Sequence, residues 1–159
     1  MKLFVTGASS FVGAHFCRVA SRNHQVVGQY FSTPLQLPHI QPVRIDLREE
    51  LAVKQISQMD IDAIVHIACK IKGKPKGKET IAEAALRENS AIMDTVLAVQ
   101  KPVVYASSTV VHWESTAPYV RSRREDEQRL SESGIPYTII RPSAPYGPKL
   151  RVHSPKHKE

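Results

Sequence analysis

The sequence predicts an α/β domain on a doubly wound parallel sheet, about six strands with helices on both faces. Three observations predict it. Short apolar runs alternate with longer amphipathic ones along most of the chain. The short runs are nearly free of polar residues, as strands covered on both faces must be. A loop of small residues, Gly7 to Gly13, follows the first run directly.

Each element can be justified in order. Leu3 to Thr6 is a short apolar strand. A helix is expected from Ser10 to Arg22, where Phe11, Val12, His15, Phe16 and Val19 fall near helical spacing. The polar turn Asn23-His24 leads into a second strand, Gln25 to Tyr30. Pro34 and Pro38 mark Ser32 to Gln41 as loop, and Val43 to Ile45 as a brief third strand ending at Asp46. Leu51 to Met59 reads as helix and Ala63 to Ala68 as a buried strand. A lysine-rich segment precedes a long helix from Thr80 to Val99, followed by a strand, Val103 to Ala106. Tyr119 to Ser133 reads as helix stopped by Gly134, and Tyr137 to Ile140 is the last strand.

Composition bounds the function. The chain has 159 residues, 42% of them hydrophobic, enough for one domain with a core that needs no disulfide or metal. Its two cysteines, Cys17 and Cys69, are expected to be free thiols in a reducing compartment. No apolar run is long enough to span a membrane, and a strand from the second residue leaves no signal peptide expected, so a cytoplasmic location is expected. The formal charge of +7 raises nucleic acid as a partner, but the excess is local. Lys70, Lys72, Lys74, Lys76 and Lys78 share one short segment, and Lys149, Arg151, Lys156 and Lys158 share the tail. No aromatic residues interleave these clusters to stack on bases. Solvated basic loops are the simplest reading, a phosphate-bearing ligand comes next, and nucleic acid last. A homodimer is compatible with the sequence. No Cys/His spacing suggests a zinc site, and no G-x-S-x-G elbow supports a hydrolase.

The small-residue loop Thr6-Gly7-Ala8-Ser9-Ser10-Phe11-Val12-Gly13 sits between a strand and a helix. There, small side chains let the backbone approach a pyrophosphate, whose charge meets the N–H groups of the helix N-terminus. That context marks a dinucleotide site of the Rossmann fold. The loop resembles the TGxxGxxG loop of the extended short-chain dehydrogenase/reductases, the NAD(P)-dependent epimerase/dehydratase family. The resemblance continues through Asp46-Leu47, Asp62 to Ala68, Asn89, Val104 to Ser108, Tyr119 to Arg123, Arg141-Pro142 and Tyr146-Gly147-Pro148. It implies cofactor contacts from Gly7, Ser9, Ser10, Phe11, Val12, Gly13, Ser32, Asp46, Leu47, Ile67, Ala68 and Arg123. It implies catalysis by Ser108, Tyr119 and Arg123, standing where the family has its serine and its YxxxK pair. The substrate class implied is a sugar nucleotide or a related, possibly phosphorylated, carbonyl or hydroxyl compound.

Several positions depart from the family pattern. Ser10 replaces the middle glycine; its hydroxyl is available to bond a phosphate, or its bulk to narrow the site. Arg123 replaces lysine and keeps the charge, but a planar fork is not interchangeable with an ammonium. In the family the cation lowers the pKa of a phenol otherwise near 10, and binds the nicotinamide ribose. The stretch Val110 to Pro118 is shorter than usual. His112 reads as a partly buried structural histidine and His66 as core. No acid follows the second strand at Tyr30-Phe31-Ser32-Thr33, and no arginine is seen nearby, so the cofactor is NAD or NADP with a tilt toward NADP.

Residues 1–148 are therefore expected to form one NAD(P)-binding domain and 149–159 a basic flexible tail. Family members usually continue into a substrate-binding lobe, which is expected to be absent here. Cofactor binding is expected to outlast catalysis, and a non-catalytic dinucleotide-binding sensor or scaffold is the alternative function. The lysine segment 70–78 is expected near the ligand-binding edge, where it would attract a phosphorylated or nucleotide-linked substrate.

Overall fold

The computed structural model describes residues 1–148. The elements in chain order are β1 (Lys2–Thr6), α1 (Phe11–Ala20), β2 (Gln25–Tyr30), β3 (Ile40–Arg44), α2 (Leu51–Ser57), β4 (Ala63–His66), α3 (Ile81–Ala98), β5 (Val103–Ala106), α4 (Pro118–Glu132) and β6 (Tyr137–Ile140). One 3-10 turn, Thr109–His112, follows β5. The tail expected at 149–159 lies outside the described residues.

The six strands form one sheet in the order β3-β2-β1-β4-β5-β6, every pairing parallel. The order in which successive strands are added reverses between β1 and β4, which opens a crevice at their C-terminal ends. Alternation along the strands builds two cores. Phe4, Val27, Ile64, Val103 and Tyr105 face α2, α3 and α4, meeting Ile56, Met93, Val96 and Leu130. Leu3, Val5, Val26 and Val65 face the opposite way, onto Ala14 and Cys17 of α1 and onto Leu35. Cys17 is fully buried, and burial pushes its thiol up to about 12.

The strand and helix order predicted from the sequence is the order observed. β3 differs in extent: it starts at Ile40, inside the stretch expected to be loop. Pro42 pairs in register with Gly28 there, and an edge strand tolerates a residue without an N–H. His66 is core as expected, 1% exposed, with burial pushing its pKa down to about 3. Thr6 Oγ1 accepts from the N–H groups of Ile67 and Ala68, each at 3.0 Å, and so donates to His66 Nδ1 at 2.7 Å. His112 is exposed rather than partly buried, on a 3-10 turn that has no buried residue. No described helix is long and apolar enough to cross a membrane.

Candidate active site

The glycine loop is held open by backbone packing. Gly7 has φ +64°, and a Cβ there would lie 2.8 Å from Ala68 Cα. A Cβ on Gly13 would lie 2.2 Å from the carbonyl oxygen of Gly7. Both positions therefore require glycine. Gln29, 4% exposed, ties the loop to β2: its Oε1 accepts from Gly7 N–H at 2.9 Å and its Nε2 donates to Ile45 O at 2.6 Å. Its backbone carbonyl accepts from Ala8 N–H. Ser10 caps α1 with extended dihedrals, and its Oγ accepts from Gly13 N–H at 3.1 Å. Phe11 and Val12 occupy the first two helical positions, where an amide has no acceptor within its own helix.

Above this loop lies a cavity of 320 Å³. It brings together seven of the predicted cofactor residues: Gly7, Ser9, Ser10, Ser32, Asp46, Leu47 and Ala68. Val12 and Ile67 instead line an apolar groove of 420 Å³ on the α1 side, with Phe16, Val104 and Ala106. Ser108, Tyr119 and Arg123 line neither space.

The far wall of the cavity holds residues that sequence reading missed. Arg48 bridges Asp46 and the buried Glu88, while its guanidinium sits 5.2 Å from the Phe31 ring centre. Arg44 lies over the same ring at 5.8 Å and donates to Phe31 O. Arg48 beside Asp46 holds that carboxyl below the usual range. Glu88, 3% exposed, also takes the Lys74 N–H at 2.7 Å and Lys70 Nζ at 3.0 Å. Burial opposes its ionisation, but the Lys74 amide, Lys70 and Arg48 together hold it down at about 2. Asn89 grips the Lys70 backbone through both amide atoms. The start of the lysine segment is thus fastened to α3, while Lys72, Lys74, Lys76 and Lys78 remain exposed.

The catalytic candidates sit along β5 and α4. Ser107 turns inward, its Oγ 2.5 Å from Glu127 Oε1, whereas Ser108 Oγ accepts a long 3.4 Å bond from Val110 N–H. Tyr119 is 40% exposed in the first turn of α4, after Pro118. Arg123 differs from the expectation of a cation turned to the cofactor. Its side chain is buried, bonded to Asp126 at 3.0 Å and placed over the rings of Tyr105 at 5.3 Å and Tyr119 at 5.7 Å. A guanidinium reaches further than an ammonium and finds a buried carboxylate one turn on, which draws it inward. Asp126 also accepts from Tyr105 Oη at 2.8 Å, and burial raises it to about 6.

The sequence profile of the NAD dependent epimerase/dehydratase family matches residues 3–158. The chain belongs to this family. No curated protein matches the sequence of this epimerase/dehydratase family member. Its fold is shared with UDP-glucuronic acid 4-epimerase from Bacillus cereus in complex with NAD, at 24% identity and TM-score 0.76, over 95% of this chain and 58% of that one. WbmH from Bordetella bronchiseptica in complex with NAD+ matches at 20% identity and TM-score 0.71, over 88% and 55%. ADP-L-glycero-D-manno-heptose-6-epimerase from Helicobacter pylori matches at 18% and 0.65, over 88% and 54%. The chain thus spans little more than half the length of these solved relatives. Among its described residues, no cluster of His, Cys, Asp and Glu is arranged to hold a metal.

Proposed function

We propose that this chain binds a nicotinamide dinucleotide across the Gly7–Gly13 loop and uses it to act on a sugar nucleotide or a related carbonyl or hydroxyl compound. The observation that carries this reading is the cavity beside a loop whose two glycines cannot accept a Cβ. Its residues fit the group. Phe11 and Val12 amides would meet the pyrophosphate at the positive end of α1. Leu47 and Ile92 offer apolar wall to an adenine, and Ser32 and Thr33 offer hydroxyls to the ribose. When bound, the nicotinamide supplies hydride acceptance and return. Tyr119 would take a proton from, or return it to, the reacting oxygen, and Ser108 would hold that oxygen in place.

The preference for NADP remains our reading, although the solved relatives above that were captured with dinucleotide hold NAD. It is supported by Arg44 and Arg48 on the ring of Phe31, at the end of β2, where a 2′-phosphate would meet positive charge. The exposed lysines of the 70–78 segment favour a nucleotide-linked or phosphorylated substrate. A second reading, a dinucleotide-binding module without turnover, is favoured by one observation. Arg123 is held by Asp126, so the cation expected at the ribose faces inward.

Titration with NADH and NADPH tests the first claim. Saturable binding of both is expected, NADPH the tighter, with its advantage lost in an Arg44→Ala/Arg48→Ala variant. No binding of either at millimolar concentration would end the proposal. Tyr119→Phe separates the two readings. For an enzyme, turnover of a sugar nucleotide collapses while dinucleotide affinity stays constant; for a module there is binding and no turnover to lose.

A further inference from the structure

Between Ser108 and Tyr119 the chain makes one 3-10 turn and then runs irregularly from 113 to 117. Little of this segment is apolar core, and Trp113 in its middle is 60% exposed. Such a segment has few contacts of its own to fix its shape.

Arg124 of α4 supplies them. Its Nε donates to Val111 O at 2.9 Å, its Nη1 to Ser115 O at 3.0 Å, and its Nη2 to Trp113 O. One guanidinium thus collects the carbonyls of three alternate residues, which a rigid planar fork can do and a single ammonium cannot. Among the described residues Arg124 forms no ion pair, so each of its three nitrogens serves this segment. All three acceptors are backbone, so the hold is independent of the loop's side chains. The loop also closes on itself through Trp113 N–H to Val110 O and Ser115 N–H to Trp113 O. It stands at the C-terminal ends of the strands, the edge at which sheets of this kind receive ligands.

We infer that Arg124 is a positioning residue: it locks the 111–115 backbone and so presents Trp113 as a preformed wall on the segment that joins Ser108 to Tyr119. This rests on the reading that a dinucleotide and its substrate occupy the same edge. A wall fixed in advance lowers the ordering cost of binding there, in the way a closing lid would not.

Trp113 is the sequence's one tryptophan, so its emission reports this loop alone. Acrylamide quenching and anisotropy decay would be compared in wild type, R124A, R124Q and R124K. Quenching is expected to rise roughly twofold in R124A and R124Q, with a new fast anisotropy phase, as a held loop becomes a fluctuating one. R124K is expected to restore only part of the order, since charge without the fork is insufficient. With NADH bound, energy transfer from Trp113 to the reduced nicotinamide should change in R124A while affinity stays within about twofold. Unchanged quenching and anisotropy in R124A or R124Q would overturn the lock. Bound NADH with identical energy transfer in wild type and R124A would overturn the positioning role. If NADH fails to bind wild type, the proposed function falls, while the quenching comparison still decides the lock.

Discussion

The two ends of the candidate site are built differently. At the β1–β3 end, loop polar groups have partners: Gly7 and Ala8 amides reach Gln29, and Ile67 and Ala68 amides reach Thr6. The glycines are sterically obligatory and the flanking charges are paired through Glu88. At the β5–α4 end, Arg123 is turned inward, and its Nε is the one buried side-chain nitrogen or oxygen without a partner among the described residues. A buried guanidinium nitrogen with no acceptor is costly. Under the proposed function, the difference teaches that dinucleotide binding and turnover would rest on separable parts of this fold, so that each could be broken without the other.

The most damaging single change is expected at Gly13. A Gly13→Ala methyl would meet the Gly7 carbonyl at 2.2 Å, backbone against backbone, with no flexible side chain to give way. Overpacking of this kind costs about 3 kcal/mol or more. Dinucleotide binding should be lost, and the melting temperature should drop with it. A Gly13→Ala variant that bound NADH normally would show that α1 can move off the loop, and the rigidity assigned to this end would be wrong.

Glu88→Gln is the next largest. It removes the buried charge that Arg48 and Lys70 share, and breaking such a cluster costs about 3 kcal/mol, less if the two cations swing into water. Dinucleotide affinity should weaken because both cations line the cavity, while Trp113 emission at the other end stays unchanged. The pH dependence follows in sign. Glu88 is held at about 2, below its ordinary 4.5, so its contribution to stability is complete above 4.5 and lost as pH falls through about 2. Wild type should lose stability across that window, measured by denaturant midpoints, and the glutamine variant should lose less. Equal acid sensitivity would remove Glu88 from the account.

Much of the first end was legible in the sequence because its signals are local. Strand–glycine–helix order, the short apolar runs and Asp46 after the third strand are read within a few residues of each other. Gln29, Arg44, Arg48 and Glu88 were not legible, because their partners lie on other strands and helices and only the sheet order brings them together. The start of β3 was missed for a local reason, since Pro34 and Pro38 mark the stretch before it as loop and the strand begins two residues after the second of them. At the second end, Tyr119 and Arg123 were placed by their resemblance to the family's YxxxK pair. The direction of the Arg123 side chain could not be read that way, because it depends on Asp126 and Tyr105 being buried beside it. Arg124 carried no signal at all: its acceptors are carbonyls, which every residue has.

The smallest expected effect is at Ser10, and it sharpens the comparison most. The serine hydroxyl takes the Gly13 N–H, one of the few amides at the start of α1 that would otherwise face a phosphate. Ser10→Gly restores the family's glycine, releases that amide and removes a side chain from the cavity wall. A cap changed to glycine costs only a few tenths of a kcal/mol. Dinucleotide affinity should therefore rise by about threefold, the scale of one modest hydrogen bond, with the melting temperature almost unmoved. Titration of the variant beside wild type decides the matter. Weaker binding would mean that the hydroxyl itself bonds the phosphate. Ser10 would then be a binding residue of this chain, and the first end would have been remodelled as well as the second.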